Sequence, residues 1–204
     1  MRRTLLACAF LVGILALDGL MARAQQQPQP APQSQGTSTD LALTYTTLRS
    51  NVTPGGSNFW LQGGSIDASV TLHRGFGLAA NITGDHASNI APGVNLDEID
   101  FVMGPRYTYR LGTKSKHESR LFVEALAGGV RGFGSVFPKS TGLDTRASSF
   151  TYQVGGGWDI AFKKHIAIRV FEADYVRSYL PNNGGDTQGH IRLAFGVTYH
   201  MAPH

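Results

Sequence analysis

The chain has 204 residues and a formal net charge of +4, from 18 Lys and Arg against 14 Asp and Glu. Its basic residues fall singly along the sequence, without the basic helix or the interleaved aromatic and basic face typical of nucleic-acid readers, so we expect no nucleic-acid partner. Cys8 is the only cysteine, which excludes a disulfide framework.

The N-terminal segment has the three parts of a secretory signal. Arg2 and Arg3 precede an apolar run from Leu5 to Leu17, and the small-residue cleavage motif Ala22–Ala24 follows. The apolar run is shorter than the roughly 20 residues that a membrane-spanning helix needs. We therefore predict a cleaved signal peptide over residues 1–24 and export to the periplasm.

A change of composition separates a tether from a folded domain. Residues 25–39 are Gln, Pro, Ser and Thr with almost no apolar side chains, a composition that cannot bury enough surface to fold. Residues 40–201 are rich in Gly, Thr, Tyr and Phe, and no long window carries a helical period. We predict a disordered tether followed by a single all-β domain.

The domain contains eight segments that read as strands, because apolar and polar side chains alternate in most of them. In the second, Ile66, Val70 and Leu72 alternate with polar residues such as Asp67 and Ser69. Three segments, the first, fifth and seventh, are less regular. The predicted strands are 40–49, 60–73, 76–83, 99–110, 120–131, 150–163, 166–179 and 191–201.

The seventh segment has a break in its alternation. Arg169 is out of phase with Glu172 and Asp174. We predict that the two carboxylates face inward and that Arg169 lies near the rim, where its long side chain reaches the lipid headgroups. A β-bulge would explain the same break in phase.

The connections between the predicted strands alternate between short and long: those at 73–75 and 163–165 are short, whereas those at 85–97 and 133–147 are among the long ones. This rhythm is typical of a transmembrane up-and-down barrel, with short periplasmic turns and longer outer loops. A soluble β-sandwich or a lipocalin-like barrel also has alternating strands. The apolar set here includes Tyr and Trp near strand ends, as in an aromatic girdle, which favours an eight-stranded antiparallel transmembrane β-barrel.

Four segments carry a resemblance to a known family. They are Phe101–Tyr109, Gly155–Ile160, Ile166–Val170 and Arg192–Val197. On these residues the chain resembles the outer-membrane β-barrel domain family of Gram-negative bacteria, the small barrels related in architecture to the transmembrane domain of outer-membrane protein A. The resemblance implies a place in the outer membrane. Its implied partners are outer-membrane lipid and lipopolysaccharide, the barrel-assembly and periplasmic chaperone machinery, and an unidentified extracellular ligand.

The barrel interior bears on function, because eight strands enclose only enough room for side chains. We predict a filled, non-porin interior in which inward charges pair, with a weak small-solute channel as the alternative. Arg106 and Glu124 are expected to pair across the fourth and fifth strands. The predicted inward charges are Asp67, Arg106, Glu124, Asp159, Glu172 and Arg192. The expected role is structural or surface-displayed, through the outer loops.

One motif suggests an enzyme instead. His86–Asn89 resembles the His-x-Ser-Asn motif of outer-membrane lipid A deacylases, with His86 as base, Ser88 as nucleophile and Glu98 at a spacing that orients the base. In those enzymes the motif lies late in the chain, so we interpret it here as chance and predict no enzyme activity. The seven histidines lack zinc-site spacing and are predicted to face solvent. We predict no catalytic, metal or cofactor site.

Overall fold

A computed structural model of the protein describes residues 37–50, 59–91, 94–111, 118–139, 142–181 and 187–201. Successive strands pair antiparallel, and the first also pairs with the last, which closes a barrel in the order of the sequence. Among the described residues, no helix is long and apolar enough to cross a membrane. The strands are β1 (Ser38–Ser50), β2 (Phe59–His73), β3 (Phe76–Ala91), β4 (Val94–Leu111), β5 (Ser119–Lys139), β6 (Gly142–Lys163), β7 (Ile166–Ser178) and β8 (Gln188–Met201).

The predicted signal peptide, residues 1–24, lies outside the described residues, and so does most of the predicted tether. The last two tether residues, Ser38 and Thr39, belong to β1. Ser38 pairs with Thr71 of β2.

The alternation along each strand separates a buried polar interior from an apolar outer wall. In β8, Leu193, Phe195 and Val197 are exposed, whereas Arg192 and Thr198 are buried. This is the reverse of a soluble barrel, which keeps its apolar side chains inside. In a bilayer it is the stable arrangement, because closure pairs every backbone group and lipid contacts the apolar wall. The predicted transmembrane barrel is confirmed over the soluble alternatives.

The two ends of the barrel differ. Short turns at Arg74–Gly75 and Lys164–His165 join β2 to β3 and β6 to β7 at the end where β1 begins and β8 finishes. Following the usual orientation of such barrels, we call this the periplasmic end and the opposite one the outer end. Gly75 has a φ of 87°, a left-handed conformation that glycine adopts without steric cost.

Four strands extend further at the outer end than the sequence predicts. The predicted loop at 85–97 is mostly strand, since β3 continues to Ala91 and β4 begins at Val94. The predicted loop at 133–147 is likewise a hairpin of β5 and β6, in which Lys139 pairs with Gly142. Both predictions were wrong, because a polar composition was taken as loop, whereas strand pairing outside the bilayer requires no apolar wall. We call these added strand ends, residues 84–91, 94–98, 132–139 and 142–149, the outer extension.

The break in β7 is a bulge. Val170 and Phe171 both face outward, and the register with β8 shifts between Arg169 and Glu172. The extra residue restores the phase, so that Arg169, Glu172 and Asp174 all face the interior. The rim position predicted for Arg169 was therefore wrong, while the inward orientation of Glu172 and Asp174 and the alternative of a bulge are confirmed.

Candidate functional site

A network of ion pairs occupies the middle of the barrel. Arg106 donates two hydrogen bonds to Asp67, at 2.8 and 2.7 Å, and its Nε donates to Glu124 at 2.6 Å. Arg106 and Glu124 are also direct partners in the register of β4 and β5. The predicted Arg106–Glu124 pair is confirmed, with Asp67 as a second carboxylate on the same guanidinium.

Two further arginines extend this network. Arg169 binds Asp159 through Nε at 2.9 Å and Glu172 through Nη1 at 2.7 Å. Arg192 donates to Asp174 at 2.8 Å. The Phe122 ring, on β5, lies 4.4 Å from the Arg106 guanidinium and 4.5 Å from that of Arg169, so the two cations contact one aromatic ring between them.

The network includes a group of carboxylates with the spacing of a cation site. Ligand oxygens of Glu124, Glu172 and Asp174 lie within 4.8 Å of one another. Glu124 binds Arg106, and Asp174 binds Arg192. The guanidinium groups therefore supply the positive charge that a metal ion would provide in such a cluster.

An apolar cluster lies inside the barrel toward the outer end. Its side chains are buried and contact one another. On β3–β6, these side chains lie closer to the outer end of the barrel than the residues of the ion-pair network. Its members are Leu48, Leu61, Ala87, Leu96, Val130, Phe137, Ala147 and Leu180. We call this cluster the outer plug.

The histidines do not all face solvent as predicted. His190 is only 2% exposed and His200 only 7%, because both occupy inward positions of β8. His200 binds Asp40 through Nδ1 at 2.6 Å. The solvent-facing assignment was wrong for these two, and His117 and His204 lie outside the described residues.

A second polar constellation lies on the outside of the barrel. His86 on β3 stands directly opposite Asp97 on β4. His86 Nδ1 is 2.6 Å from Asp97 Oδ1, and Nε2 is 2.9 Å from the Ser88 hydroxyl. In the tautomer that satisfies both contacts, Nδ1–H donates to the carboxylate and the Ser88 hydroxyl donates to Nε2.

The acid that contacts His86 is not the one predicted from spacing. Glu98 is the next residue along the strand, so its side chain points into the barrel, where it is 5% exposed. Asp97 points outward with His86. The prediction that Glu98 orients the base was wrong because side chains alternate between the two faces of a strand.

An apolar and cationic depression adjoins the histidine along the same row of the outer wall. Phe133 pairs with Asp97 on one side and with Arg146 on the other. At the next outward-facing position toward the apolar wall, two residues along each strand, Ile99 pairs with Arg131. Ile99, Arg131, Phe133 and Arg146 line a shallow cavity of about 300 Å³. The lining of this cavity is mainly apolar, and both arginines are exposed to solvent.

Solved structures with the same architecture are small outer-membrane barrels. The attachment invasion locus protein Ail of Yersinia pestis, solved with the heparin analogue sucrose octasulfate, is 14% identical, with a TM-score of 0.52 over 81% of this chain and 99% of that chain. Neisserial surface protein A is 15% identical, with a TM-score of 0.51 over 82% and 98%. OprG of Pseudomonas aeruginosa is 8% identical, with a TM-score of 0.50 over 83% and 97%.

These similarities concern the fold. No protein-family model and no curated protein matches the chain, and identities this low carry the architecture without the activity. The closed antiparallel barrel and its apolar outer wall nevertheless agree with the shared architecture of these structures. The chain is a closed eight-stranded β-barrel with an apolar outer wall, the architecture of these small outer-membrane proteins.

Proposed function

We propose that the protein is a closed outer-membrane barrel whose role is structural and surface-interacting. The observation that carries this proposal is the occupied interior: Arg106, Arg169 and Arg192 are each paired with carboxylates, and the outer plug lies beyond them. A solute path would require the ion pairs to separate and the apolar side chains to move. The outer extension is then the part of the protein available to partners outside the cell.

We expect the purified protein to show no steady conductance in planar lipid bilayers. Removing part of the outer plug with Leu48→Ala and Phe137→Ala should allow the barrel to open. The openings should be brief, because the ion-pair network still fills the middle of the barrel. Leu43→Ala is the matched control, since Leu43 faces lipid, and it should behave as wild type. A steady open pore in the wild type would support the weak-channel alternative.

The partner that we propose for this surface is lipopolysaccharide, bound through Arg131 and Arg146. Both residues are exposed, Arg146 on the outer extension and Arg131 at its base, and Arg131 pairs with Ile99, an apolar residue of the outer wall. Arginines at the outer margin of the apolar wall are where phosphorylated headgroups of the outer leaflet would be expected to bind. Sucrose octasulfate, the polyanion in the Ail structure, is a ligand of the same charge type.

Replacing both residues, Arg131→Gln with Arg146→Gln, should weaken lipopolysaccharide binding. Each basic residue near an anionic membrane surface contributes about 1 kcal/mol, so the pair should change the affinity by roughly 30-fold. Fluorescent lipopolysaccharide titrated into the detergent-solubilised barrel measures the affinity. The control is Lys163→Gln with Lys164→Gln, which removes the same charge at the periplasmic end. Equal losses in the two variants would leave only a general charge effect and would refute the assigned surface.

A further inference from the structure

The hydrogen-bonded side chains of His86, Ser88 and Asp97 on the outer wall contribute little to the stability of the barrel. Ser88 is exposed, and the side chains of His86 and Asp97 are 51% and 34% exposed. Charged groups that pair at such exposure contribute little to stability. A surface histidine aligned at once by a carboxylate and a hydroxyl therefore needs an explanation other than packing.

The order of contacts is that of an activated serine. The carboxylate of Asp97 binds Nδ1, which leaves Nε2 as the acceptor of the Ser88 proton. Both distances lie within the range in which a histidine acts as general base for a nucleophile. The same arrangement of nucleophile, base and orienting acid occurs on unrelated folds, where geometry and roles identify it rather than position in the chain.

We propose that Ser88 and His86, positioned by Asp97, form an esterase site on the outer wall that hydrolyses an acyl ester of a phosphorylated lipid in the outer leaflet. This goes beyond the structural role and reverses the interpretation of the motif as chance. The sequence assigned the orienting role to Glu98, whose side chain lies inside the barrel, and the structure gives that role to Asp97 on the outer face.

The reaction balances without a cofactor. The Ser88 Oγ attacks the ester carbonyl carbon and forms a new C–O bond, while its proton passes to His86 Nε2. The bond to the alcohol oxygen breaks, and that oxygen takes the proton from Nε2. Water then attacks the acyl-serine, giving a proton to Nε2 that returns to Ser88 Oγ as the fatty acid leaves.

The substrate class follows from the position of the site. Ser88 and His86 stand on the outward face of β3 just beyond the apolar wall, so a lipid whose headgroup projects from the outer leaflet would reach them by lateral diffusion. The mainly apolar cavity of Ile99 and Phe133 would accept an acyl chain, and the exposed residues Arg131 and Arg146 beside it would pair with phosphate groups. This part of the argument rests on the lipopolysaccharide surface proposed above, whereas the activation of Ser88 does not.

A fluorophosphonate probe tests the activation of Ser88 independently of any lipid. In the folded, detergent-solubilised protein we expect labelling of Ser88, located by peptide mass spectrometry. Removing the general base with His86→Ala should slow labelling by about 10²-fold or more, and Ser88→Ala should abolish it. Ser148→Ala is the matched control, because Ser148 is an exposed serine on the same wall. A difference in gel mobility between boiled and unboiled samples checks that each variant is folded.

Asp97 requires a readout that a purely structural role would not change. Asp97→Asn should reduce labelling, because His86 Nδ1–H loses the carboxylate that holds the ring with Nε2 toward Ser88, while Asp97→Glu should restore labelling in part. Absence of label on Ser88 in the folded wild type, or equal labelling of the His86→Ala variant, would overturn the proposal.

The lipid source is distinguished by reconstitution. The barrel is placed in vesicles of phosphatidylglycerol and in vesicles containing lipopolysaccharide, and released fatty acid is measured for wild type and Ser88→Ala. Release from lipopolysaccharide alone identifies its acyl esters as substrate, and release from both identifies phosphorylated lipids in general. Release in neither, despite labelling of Ser88, would refute the lipid substrate while leaving the closed-barrel proposal intact.

Discussion

The Arg106→Ala variant is expected to lose about 3–5 kcal/mol of unfolding free energy, because the substitution leaves two carboxylates buried without their cation. Arg106 binds Asp67 and Glu124 together, and all three side chains are almost fully buried. Removing the guanidinium also takes one cation from the face of Phe122. Equilibrium unfolding in urea from lipid vesicles measures the loss.

A double-mutant cycle separates this pairing from a general effect of the substitution. Glu124→Ala should also destabilise, and the double variant Arg106→Ala with Glu124→Ala should cost less than the sum of the two single changes. Ser69→Ala is a control for a small buried polar side chain and should have a minor effect. A coupling energy near zero between Arg106 and Glu124 would contradict the network described for the interior.

An arginine placed on the outer wall should destabilise the protein by about 2–4 kcal/mol at the membrane midplane, where nothing solvates the charge. Leu78→Arg is a clear case, since Leu78 is 59% exposed on the apolar wall and pairs with the apolar residues Val70 and Pro105. Val70→Arg and Val197→Arg should behave alike. Folding titrations into lipid vesicles measure the effect.

The control for this series is the same substitution beyond the apolar band. Ser148→Arg, on the outer extension, should cost little, because water reaches that height. The interior offers the converse test, since Ser69→Leu replaces a buried polar residue. If Leu78→Arg folds as readily as wild type while Ser69→Leu does not, the two faces of the wall have been assigned in reverse.

The number and phase of the strands were predictable because a barrel wall imposes a strict period of two where it meets lipid. In β8, every second residue from Ile191 to Met201 is apolar and exposed. The same rule gave no information above the bilayer, where both faces of a strand tolerate polar residues. The outer extension was therefore read as loop, and Arg169 was misplaced because a bulge adds a residue that composition does not reveal.

Two of the three residues of the outer-wall site, His86 and Ser88, could be predicted from the sequence, whereas Asp97 could not. The motif identified His86 and Ser88, which share a face because they are two residues apart. The acid depends on which residue of β4 lies opposite His86, and that register shifts between Ala87 and Ala91. The partner of His86 could not be identified by counting residues back from the turn between β3 and β4. Neither the strand ends nor the irregular pairing near that turn is visible in the sequence pattern.

The pairing of β1 with β8 brings together the most distant parts of the described chain. Thr39 is the partner of Met201, so this pairing joins strands at opposite ends of the domain. Such non-local contacts slow the folding reaction. One of the strand pairings must break before the barrel opens, since every strand of the described barrel is paired on both sides. The protein should therefore persist through a high barrier to unfolding, with a lifetime set by that rate rather than by its equilibrium stability.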